Sequence, residues 1–375
     1  MKQLSSSKGN NIRIRQEPSP VQRFIRKSKK NNCMNIEEKL ALIKRNTQEI
    51  ITEDELKTLI QQKKKPVVYL GTSITGSPHI GYFVWVTKMA DFINAGFTVK
   101  VLLADIHGAL DKTPWELLEK RYEYYSIIIP AFFEAIGADT TQLAIVKGSD
   151  FQLKKDYMFD LLKMSTYVTV HDATKAASEV VKMGDSPKLS GLLYPLMQSI
   201  DEEYLGVDVQ YGGIDQRKIL VFARENMPKL GYRSRIEIMT PLIPGLTASG
   251  KMSSSEKGSK IDVLDDEKTV NEKLNSAYCE TGKTENNGVL AFLKHVIMVH
   301  KHDKKESFSI ERPEKFGGNL TYSTYEHLEA DYVAAKIHPL DLKKAVAKEI
   351  NKLLAPIRAK LSGKDALIKS AYPDR

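Results

Sequence analysis

The pattern of hydrophobic and polar positions changes character in the first third of the chain. Short apolar runs at 67–70 and 98–104 flank a turn of small residues and a segment with helical spacing, which starts at Pro78 and stops at Gly96. Proline suits the first position of a helix and glycine the position after its end. Strand, helix and strand in this order predict a βαβ unit. The sheet is therefore expected to be parallel, with ligands beyond the carboxyl ends of its strands.

The remaining patterns extend this prediction to the whole chain. Helical spacing occupies 36–62, where Thr52 and Glu55 form a predicted capping box. The other predicted elements are helices over most of 114–204, a strand at 208–213, a loop at 236–250 and helices from about 267. The fold class is therefore α/β, with a doubly wound parallel sheet at 34–265, a helical insertion near 140–200 and an all-helical region at 266–375.

The positive charge lies mainly in one segment. The chain has 375 residues and a net charge of +9, of which +8 comes from nine basic side chains and one acid in residues 1–32. Such a basic segment, with serines, prolines and little apolar periodicity, predicts a disordered extension at 1–33. Three roles stay open for it: a solvated tail, a nonspecific RNA-binding arm, or an organellar transit peptide.

Cysteine content and hydropathy exclude several classes of protein. The only cysteines, Cys33 and Cys279, have neither CxxC nor Cys/His spacing, which argues against a disulfide framework and structural zinc. No apolar run approaches the roughly 18 residues of a membrane span. A reducing, intracellular setting without membrane attachment is expected, and the cytoplasm is favoured unless the basic segment is a transit peptide.

Two short motifs, far apart in the chain, suggest chemistry on phosphates. Pro78-His79-Ile80-Gly81-Tyr82 opens the predicted crossover helix, where free backbone NH groups favour an anion. The segment beginning at Lys251 reads KMSSS and follows a loop rich in glycine and proline. A lysine on such a loop can neutralise charge that develops on a polyphosphate. Each motif alone is weak, because histidines at helix starts and serine-rich surface loops are common.

Together the two motifs resemble the HIGH and KMSKS signatures of class I aminoacyl-tRNA synthetases. Three longer segments are similar to the tyrosyl branch of eukaryotes and archaea: YLGTSITGSPHIGYF at 69–83, SGLLYPLMQSIDEEYLGVDVQYGGIDQRK at 190–218 and PLIPGLTASGKMSSSEKGSKIDVLD at 241–265. Tyr82 replaces the last histidine of one signature and Ser254 the lysine of the other. The resemblance implies a Rossmann-type catalytic domain at 34–265 and an anticodon-binding domain at 266–375.

The resemblance also implies a role for individual residues. Catalysis would involve His79, Tyr82, Lys251, Ser253 and Ser254. The phenol of L-tyrosine would meet Tyr69 and Asp201, and its amino group would meet Tyr194, Gln198 and Gln216. Because Tyr194, Gln198 and Asp201 are spaced i, i+4 and i+7, one helix face can present all three. ATP would bind with Mg²⁺ on its phosphates, and the implied contacts are Gly71, His79, Gly81, Gly213, Asp215 and Lys251.

Partners follow from the same resemblance. Arg217 and Lys218 would contact the acceptor stem of tRNA(Tyr), and Phe316 and Asp341 its anticodon. Asp341 follows Pro339 at a predicted helix start, so its carboxylate could instead cap that helix. The family further implies a homodimer that uses the helical insertion, and a two-step reaction through tyrosyl-adenylate.

Two alternative functions remain. A tryptophanyl-tRNA synthetase has the same signatures, but a hydroxyl and a carboxylate at 69 and 201 suit a phenol better than an indole, whose NH only donates. A catalytically silent RNA-binding or signalling relative would have no need of His79, Lys251 and the complete pocket. The expected activity is therefore an ATP-dependent tyrosine–tRNA ligase.

Overall fold

The computed structural model describes residues 34–181, 184, 186–248 and 260–373. Residues from Ile36 onward form one compact unit. Six strands make its main sheet: β1 Glu49–Ile51, β2 Val67–Ser73, β3 Thr98–Ala104, β4 Leu143–Lys147, β5 Val209–Gly213 and β6 Ile236–Thr240. Their order is β1-β6-β5-β2-β3-β4, and every neighbouring pair is parallel except β1 with β6. The predicted parallel α/β fold is confirmed.

Ten helices accompany this sheet up to residue 226 among the described residues. They are α1 Ile36–Lys44, α2 Glu53–Gln62, α3 Tyr82–Asn94, α4 Asp105–Asp111, α5 Leu118–Ala135, α6 Ser149–Gln152, α7 Lys155–Ser165, α8 Val170–Ala177, α9 Leu189–Tyr204 and α10 Arg217–Asn226. The capping box at Thr52 and Glu55 is present at the start of α2.

The C-terminal region is helical apart from one hairpin. Its helices are α11 Glu267–Ser276, α12 Gly288–Phe292, α13 Met298–Asp303, α14 Tyr325–Val333, α15 Pro339–Leu361 and α16 Asp365–Ala371, with a π-helical turn at Leu293–Ile297. The hairpin pairs β7 Phe308–Ile310 with β8 Leu320–Tyr322. The expectation of an all-helical region is therefore wrong for these two strands.

Both faces of the sheet are buried. Successive side chains of a strand point to opposite sides, so alternate residues belong to different clusters. On β2, Val68 and Leu70 belong to the large core that also contains α3, α5 and α15, whereas Tyr69 belongs to a smaller cluster on the other face. The apolar stripe of α15 is buried in the large core, and Arg45 links Asp91 of α3 with Asp303 of α13. The C-terminal region thus packs directly on the α/β region, and a functional division at residue 265 stays a prediction.

Three predicted boundaries differ from the structure. The crossover helix begins at Tyr82 rather than Pro78, because residues 78–80 pair with the segment after the second motif: Ile80 N donates to Ile261 O and Val263 N to Pro78 O. The predicted loop at 236–250 begins with the fully buried strand β6. The helical insertion starts after β4, which is part of the sheet. The stop at Gly96, with φ +93°, is confirmed.

Candidate active site

A cavity of about 760 Å³ lies at the carboxyl ends of the parallel strands. The end of β2, the end of β5, the turn before α3 and one face of α9 contribute to its wall. Every described residue that the resemblance assigned to catalysis, tyrosine or ATP lines this cavity: Tyr69, Gly71, His79, Gly81, Tyr82, Tyr194, Gln198, Asp201, Gly213, Asp215 and Gln216. The structure therefore brings residues from three stretches of the chain, 69–82, 194–201 and 213–216, into one site.

His79 lies in the turn before α3 and is held as a neutral donor. Its Nδ1 accepts a hydrogen bond from the backbone N of Gly81 at 3.1 Å. Burial, with a smaller effect from the nearby charge of Lys260, lowers the pKa of His79 to about 4, although the charge of Asp262 acts in the opposite direction. A neutral imidazole that accepts at Nδ1 carries its proton on Nε2, so that atom is the donor available to a phosphate oxygen.

Tyr82 is part of the same wall. Its ring meets the ring of His79 edge-on at 5.4 Å, and its hydroxyl lies 3.1 Å from that of Tyr125. It also lies 3.4 Å from Thr72 Oγ1. Burial raises the pKa of Tyr82, so the phenol is neutral and acts through packing and hydrogen bonds.

The carboxylate of Asp201 is the best-connected acceptor of the site. It accepts hydrogen bonds from Gln152 Nε2 at 2.8 Å and from Tyr157 Oη at 2.9 Å, and His107 Nε2 lies 3.8 Å away. Burial raises the pKa of Asp201 to about 7, against these two hydrogen bonds. Tyr69 of β2 is also fully buried. The two predicted phenol contacts are thus both buried and line the same cavity.

Gln152, Tyr157 and His107 are functional candidates that sequence reasoning missed. They come from α6, α7 and α4, and Gln152 and Tyr157 are 49 and 44 residues from Asp201 in sequence. The available signal was topological, because α4 directly follows β3 and α6 lies two residues after β4. A polar residue just beyond a parallel strand lies at the ligand-binding edge.

The predicted amino-group contacts form a second polar group. Tyr194 Oη lies 3.1 Å from Ser73 Oγ, and Gln198 Nε2 donates to Gln216 Oε1 at 3.0 Å. Tyr194, Gln198 and Asp201 line the cavity from one face of α9, as their spacing predicted. These hydroxyl and amide oxygens can accept from an ammonium group.

Gly213 and Asp215 form the end of the site at β5. A side chain at Gly213 would collide with the Asp215 carboxylate, so glycine leaves room for that group. Burial raises the pKa of Asp215, and hydrogen bonds from its own backbone and from Gln216 lower it. A partly buried carboxylate here suits ribose hydroxyls.

The second motif cannot be placed in this geometry. Lys251, Ser253 and Ser254 lie outside the described residues, as does the basic extension at 1–33.

In the parts of the chain that the structure covers, no group of three or more His, Cys, Asp or Glu is arranged to hold a metal ion. No helix of that portion is long and apolar enough to cross a membrane.

The four residues assigned to tRNA lie outside the cavity. Arg217 makes two hydrogen bonds to Glu49, at 2.7 and 2.8 Å, and Lys218 pairs with Glu179 at 2.7 Å. Phe316 is 61% exposed on a turn that continues through Gly317 and Gly318, both at positive φ.

Asp341 lies in the first turn of α15, but it does not cap that helix. The cap is His338, whose Nδ1 accepts from the backbone N of Leu340 at 3.2 Å. The alternative in which Asp341 supplies the cap is therefore wrong.

The fold and this cavity define a class of enzyme. The family model described as tRNA synthetases class I (W and Y) matches residues 61–355, and the chain belongs to this family. Among its relatives, the tyrosine–tRNA ligase of Haloarcula marismortui is 43% identical over 91% of this chain and 99% of its own length. The cytoplasmic tyrosine–tRNA ligase of Gallus gallus is 50% identical over 90% of this chain, which spans 64% of that relative's length.

Solved structures agree with the family. The tyrosyl-tRNA synthetase of Archaeoglobus fulgidus, complexed with L-tyrosine, has a TM-score of 0.81 and 42% identity, over 88% of this chain and 100% of the other. The tryptophanyl-tRNA synthetase of Aeropyrum pernix has a TM-score of 0.68 at 17% identity, over 94% of this chain and 95% of the other, a likeness in fold alone.

Proposed function

We propose that this protein activates L-tyrosine with ATP and transfers it to tRNA(Tyr). The observation that carries the proposal is that Tyr69 and Asp201, both buried, line the same cavity as His79 and Asp215. When phenylalanine binds, the hydroxyl and the carboxylate at this position each lack one hydrogen bond that the phenol of tyrosine would supply, which penalises that substrate.

The first step joins tyrosine to adenylate. A carboxylate oxygen of tyrosine attacks the α-phosphorus of ATP, the bond to the bridging oxygen breaks, and pyrophosphate leaves. His79 Nε2–H donates to phosphate oxygens that gain charge, while Asp215 accepts from the ribose hydroxyls. Tyr194, Gln198 and Gln216 hold the ammonium group so that the carboxylate faces the phosphate. These residues accelerate the step by positioning and charge stabilisation.

The second step transfers the amino acid. A hydroxyl of the terminal ribose of tRNA attacks the carbonyl carbon of the adenylate, and AMP leaves with the bonding electrons. No protein nucleophile takes part. Lys251, Ser253 and Ser254 are proposed to contact ATP phosphates. Mg²⁺ is proposed to enter on those phosphates, because Mg²⁺ commonly binds through substrate phosphates and the described residues lack a metal-binding cluster.

Tyrosine-dependent exchange of pyrophosphate into ATP tests the proposal. The parent protein should support exchange with tyrosine, and with phenylalanine, tryptophan and the other standard amino acids only at far lower kcat/KM. Exchange that depends on tryptophan would replace tyrosine by tryptophan within the same family. A protein that binds tRNA(Tyr) but supports exchange with none of them would favour the alternative of a catalytically silent relative.

The names of the chicken and yeast relatives include the word cytoplasmic, and we propose the same location here.

A homodimer is the proposed assembly, and an exposed apolar face supports it. On α7, Phe159 and Leu162 are 66% and 65% exposed, with Met158 beside them. Large apolar side chains so exposed on one helix mark an interaction surface. Light scattering should find a dimer for the parent and a monomer for the double variant Phe159→Lys, Leu162→Lys. Val333→Lys, which replaces an apolar residue with 54% exposure on α14, is the matched control and should stay dimeric.

A further inference from the structure

A row of buried polar residues crosses the sheet behind the tyrosine pocket. Tyr69 of β2 is the register partner of Gln210 on β5, which in turn is the partner of Glu237 on β6. Register partners in parallel strands project to the same face of the sheet. Gln210 is 1% exposed and Glu237 is fully buried, and neither lines the cavity. The centre of a sheet face is an unusual place for an amide and a carboxyl group.

Gln210 reaches the pocket through Tyr69. Its Nε2 donates to Tyr69 Oη at 2.6 Å, and the same hydroxyl donates its proton to the backbone oxygen of Gln198 at 3.1 Å. This arrangement fixes the direction of each hydrogen bond. The Tyr69 oxygen is left with one lone pair, which can only accept, and a substrate phenol is the group that can donate to it.

Two carboxyl groups lie behind Gln210. Glu202 follows Asp201 on α9 and is fully buried, and its carboxyl group lies close enough to that of Glu237 for each to shift the pKa of the other. Among the described residues, no protein donor reaches any of the four carboxyl oxygens or Gln210 Oε1. Since ionised carboxylates only accept, these two groups can satisfy each other only when at least one of them carries a proton.

The charged neighbours of this pair have other partners. Arg235 donates to the backbone oxygen of Val207 and to Glu203, and Arg224 donates to Glu55 and to the backbone oxygen of Ile51. Burial raises the pKa of both Glu202 and Glu237. The neighbouring Glu202 raises the pKa of Glu237 further, whereas Glu237 lowers that of Glu202, and the two arginines lower both. Asp201 and Tyr69 also face the pair.

If both carboxyl groups are protonated, one hydroxyl can bridge the pair and the second can donate to Gln210 Oε1. That acceptor otherwise has no donor, and leaving it empty in the interior is costly. A donor at Oε1 selects one of the two orientations of the Gln210 amide. In the selected orientation the NH₂ group faces Tyr69; in the other orientation the Tyr69 proton would be drawn away from Gln198.

We propose that Gln210 is a specificity-determining positioning residue, and that the Glu202–Glu237 acid pair holds its amide in the orientation that donates to Tyr69. The inference rests on the proposed function, since it assumes that Tyr69 meets the substrate phenol. It assigns part of the selection against phenylalanine to three residues that touch no substrate.

The test compares kcat/KM for exchange driven by tyrosine and by phenylalanine. Gln210→Met should lower the value for tyrosine roughly tenfold, the factor for one ordinary buried hydrogen bond, and leave the value for phenylalanine and the KM for ATP unchanged. Asn226→Leu is the control, because Asn226 is also buried and donates to a backbone oxygen, that of Phe222, away from Tyr69. It should leave the ratio of the two values unchanged.

The acid pair is tested separately. Glu237→Gln keeps a donor beside Gln210 and should keep the tyrosine-to-phenylalanine ratio, whereas Glu237→Met should lose it to the same extent as Gln210→Met. A folded Gln210→Met protein with the parental ratio would overturn the proposal. If that variant does not fold, a parental ratio in Glu237→Met overturns it instead. A parent that activates no tyrosine would refute the proposed function, which is a different outcome.

Discussion

The proposed tyrosine pocket and the surface around Phe316 differ in how their polar and aromatic groups are held. In the pocket, Asp201 and Tyr69 are buried and each has hydrogen-bond partners within the protein. Phe316 is exposed on a glycine turn, with Lys315 Nζ 5.0 Å from the centre of its ring. The first arrangement is rigid before the substrate arrives, which favours discrimination between similar small molecules. The second leaves an aromatic face open, which suits stacking on an unpaired base.

The comparison would fail if the two regions affected the same step. The largest effect confined to the activation step is expected from His79→Ala, which removes the Nε2 donor. Exchange with tyrosine should fall by about 10²–10³ in kcat, the range for loss of one transition-state donor, with tyrosine affinity little changed. His79→Asn restores an NH group and should recover part of the rate. Since the pKa of His79 is about 4, protonation of this residue should produce no inflection in the rate between about pH 6 and pH 8. Such an inflection, absent from His79→Asn, would show that the histidine titrates.

Asp201→Ala should give the next largest effect, in binding. The variant loses an acceptor for the phenol and removes the carboxylate to which Gln152 and Tyr157 both donate. We expect kcat/KM for tyrosine to fall by about 100-fold, the scale of a hydrogen bond to a charged group, with the KM for ATP unchanged. Discrimination against phenylalanine should shrink with it. Discrimination equal to that of the parent would show that Asp201 does not meet the phenol.

Phe316→Ala should affect only the binding of tRNA. Loss of one stacked base corresponds to a roughly tenfold or larger weakening. Charging of tRNA(Tyr) should therefore show a higher KM for tRNA, while exchange with tyrosine and the melting temperature stay at the parental values. Asp341→Asn should act in the same direction, and because His338 caps α15 it should not lower stability. If both variants keep the parental preference for tRNA(Tyr) over a tRNA with an altered anticodon, this surface does not bind the anticodon.

The smallest expected effect concerns stability against pH, and it tests how far the rigidity of the pocket depends on protons. The pKa of Glu202 is raised from 4.5 to about 8, and that of Glu237 is also raised. The folded protein therefore holds these protons to higher pH than the unfolded chain. Their contribution to the free energy of unfolding is fully present below about pH 4.5 and is lost as the pH rises through about 8.

Glu237→Gln removes one of these groups. Over this pH interval the melting temperature of the parent should fall about 2–4 °C more than that of the variant, the shift that corresponds to roughly 1 kcal/mol in a large domain. Parallel curves for the two proteins would mean that the pair is not protonated in the folded state.

The pattern of apolar and polar residues predicted those features of the fold that depend on neighbouring residues in the sequence. The βαβ unit follows from changes of period in adjacent segments, and the placement of Tyr194, Gln198 and Asp201 on one face follows from helix geometry. The start of α3 was missed because residues 78–80 pair with a segment about 180 residues later. The strand β6 was missed because the prolines and glycines after it dominate the pattern around it. The partners of Asp201 are likewise set by packing between distant helices, which one sequence does not reveal.

The antiparallel pairing of β1 with β6 has a consequence while the protein is being made. Glu49 pairs with Met239, so β1 leaves the ribosome long before its partner exists. At synthesis rates of roughly 5–20 residues per second, that delay is on the order of 10–40 seconds. The delay between the synthesis of α5 and that of α15, which packs against it, is longer still. The nascent chain therefore exposes unpaired strand and apolar helix surface until its last segments emerge, and chaperone dependence during translation should exceed that of the finished protein.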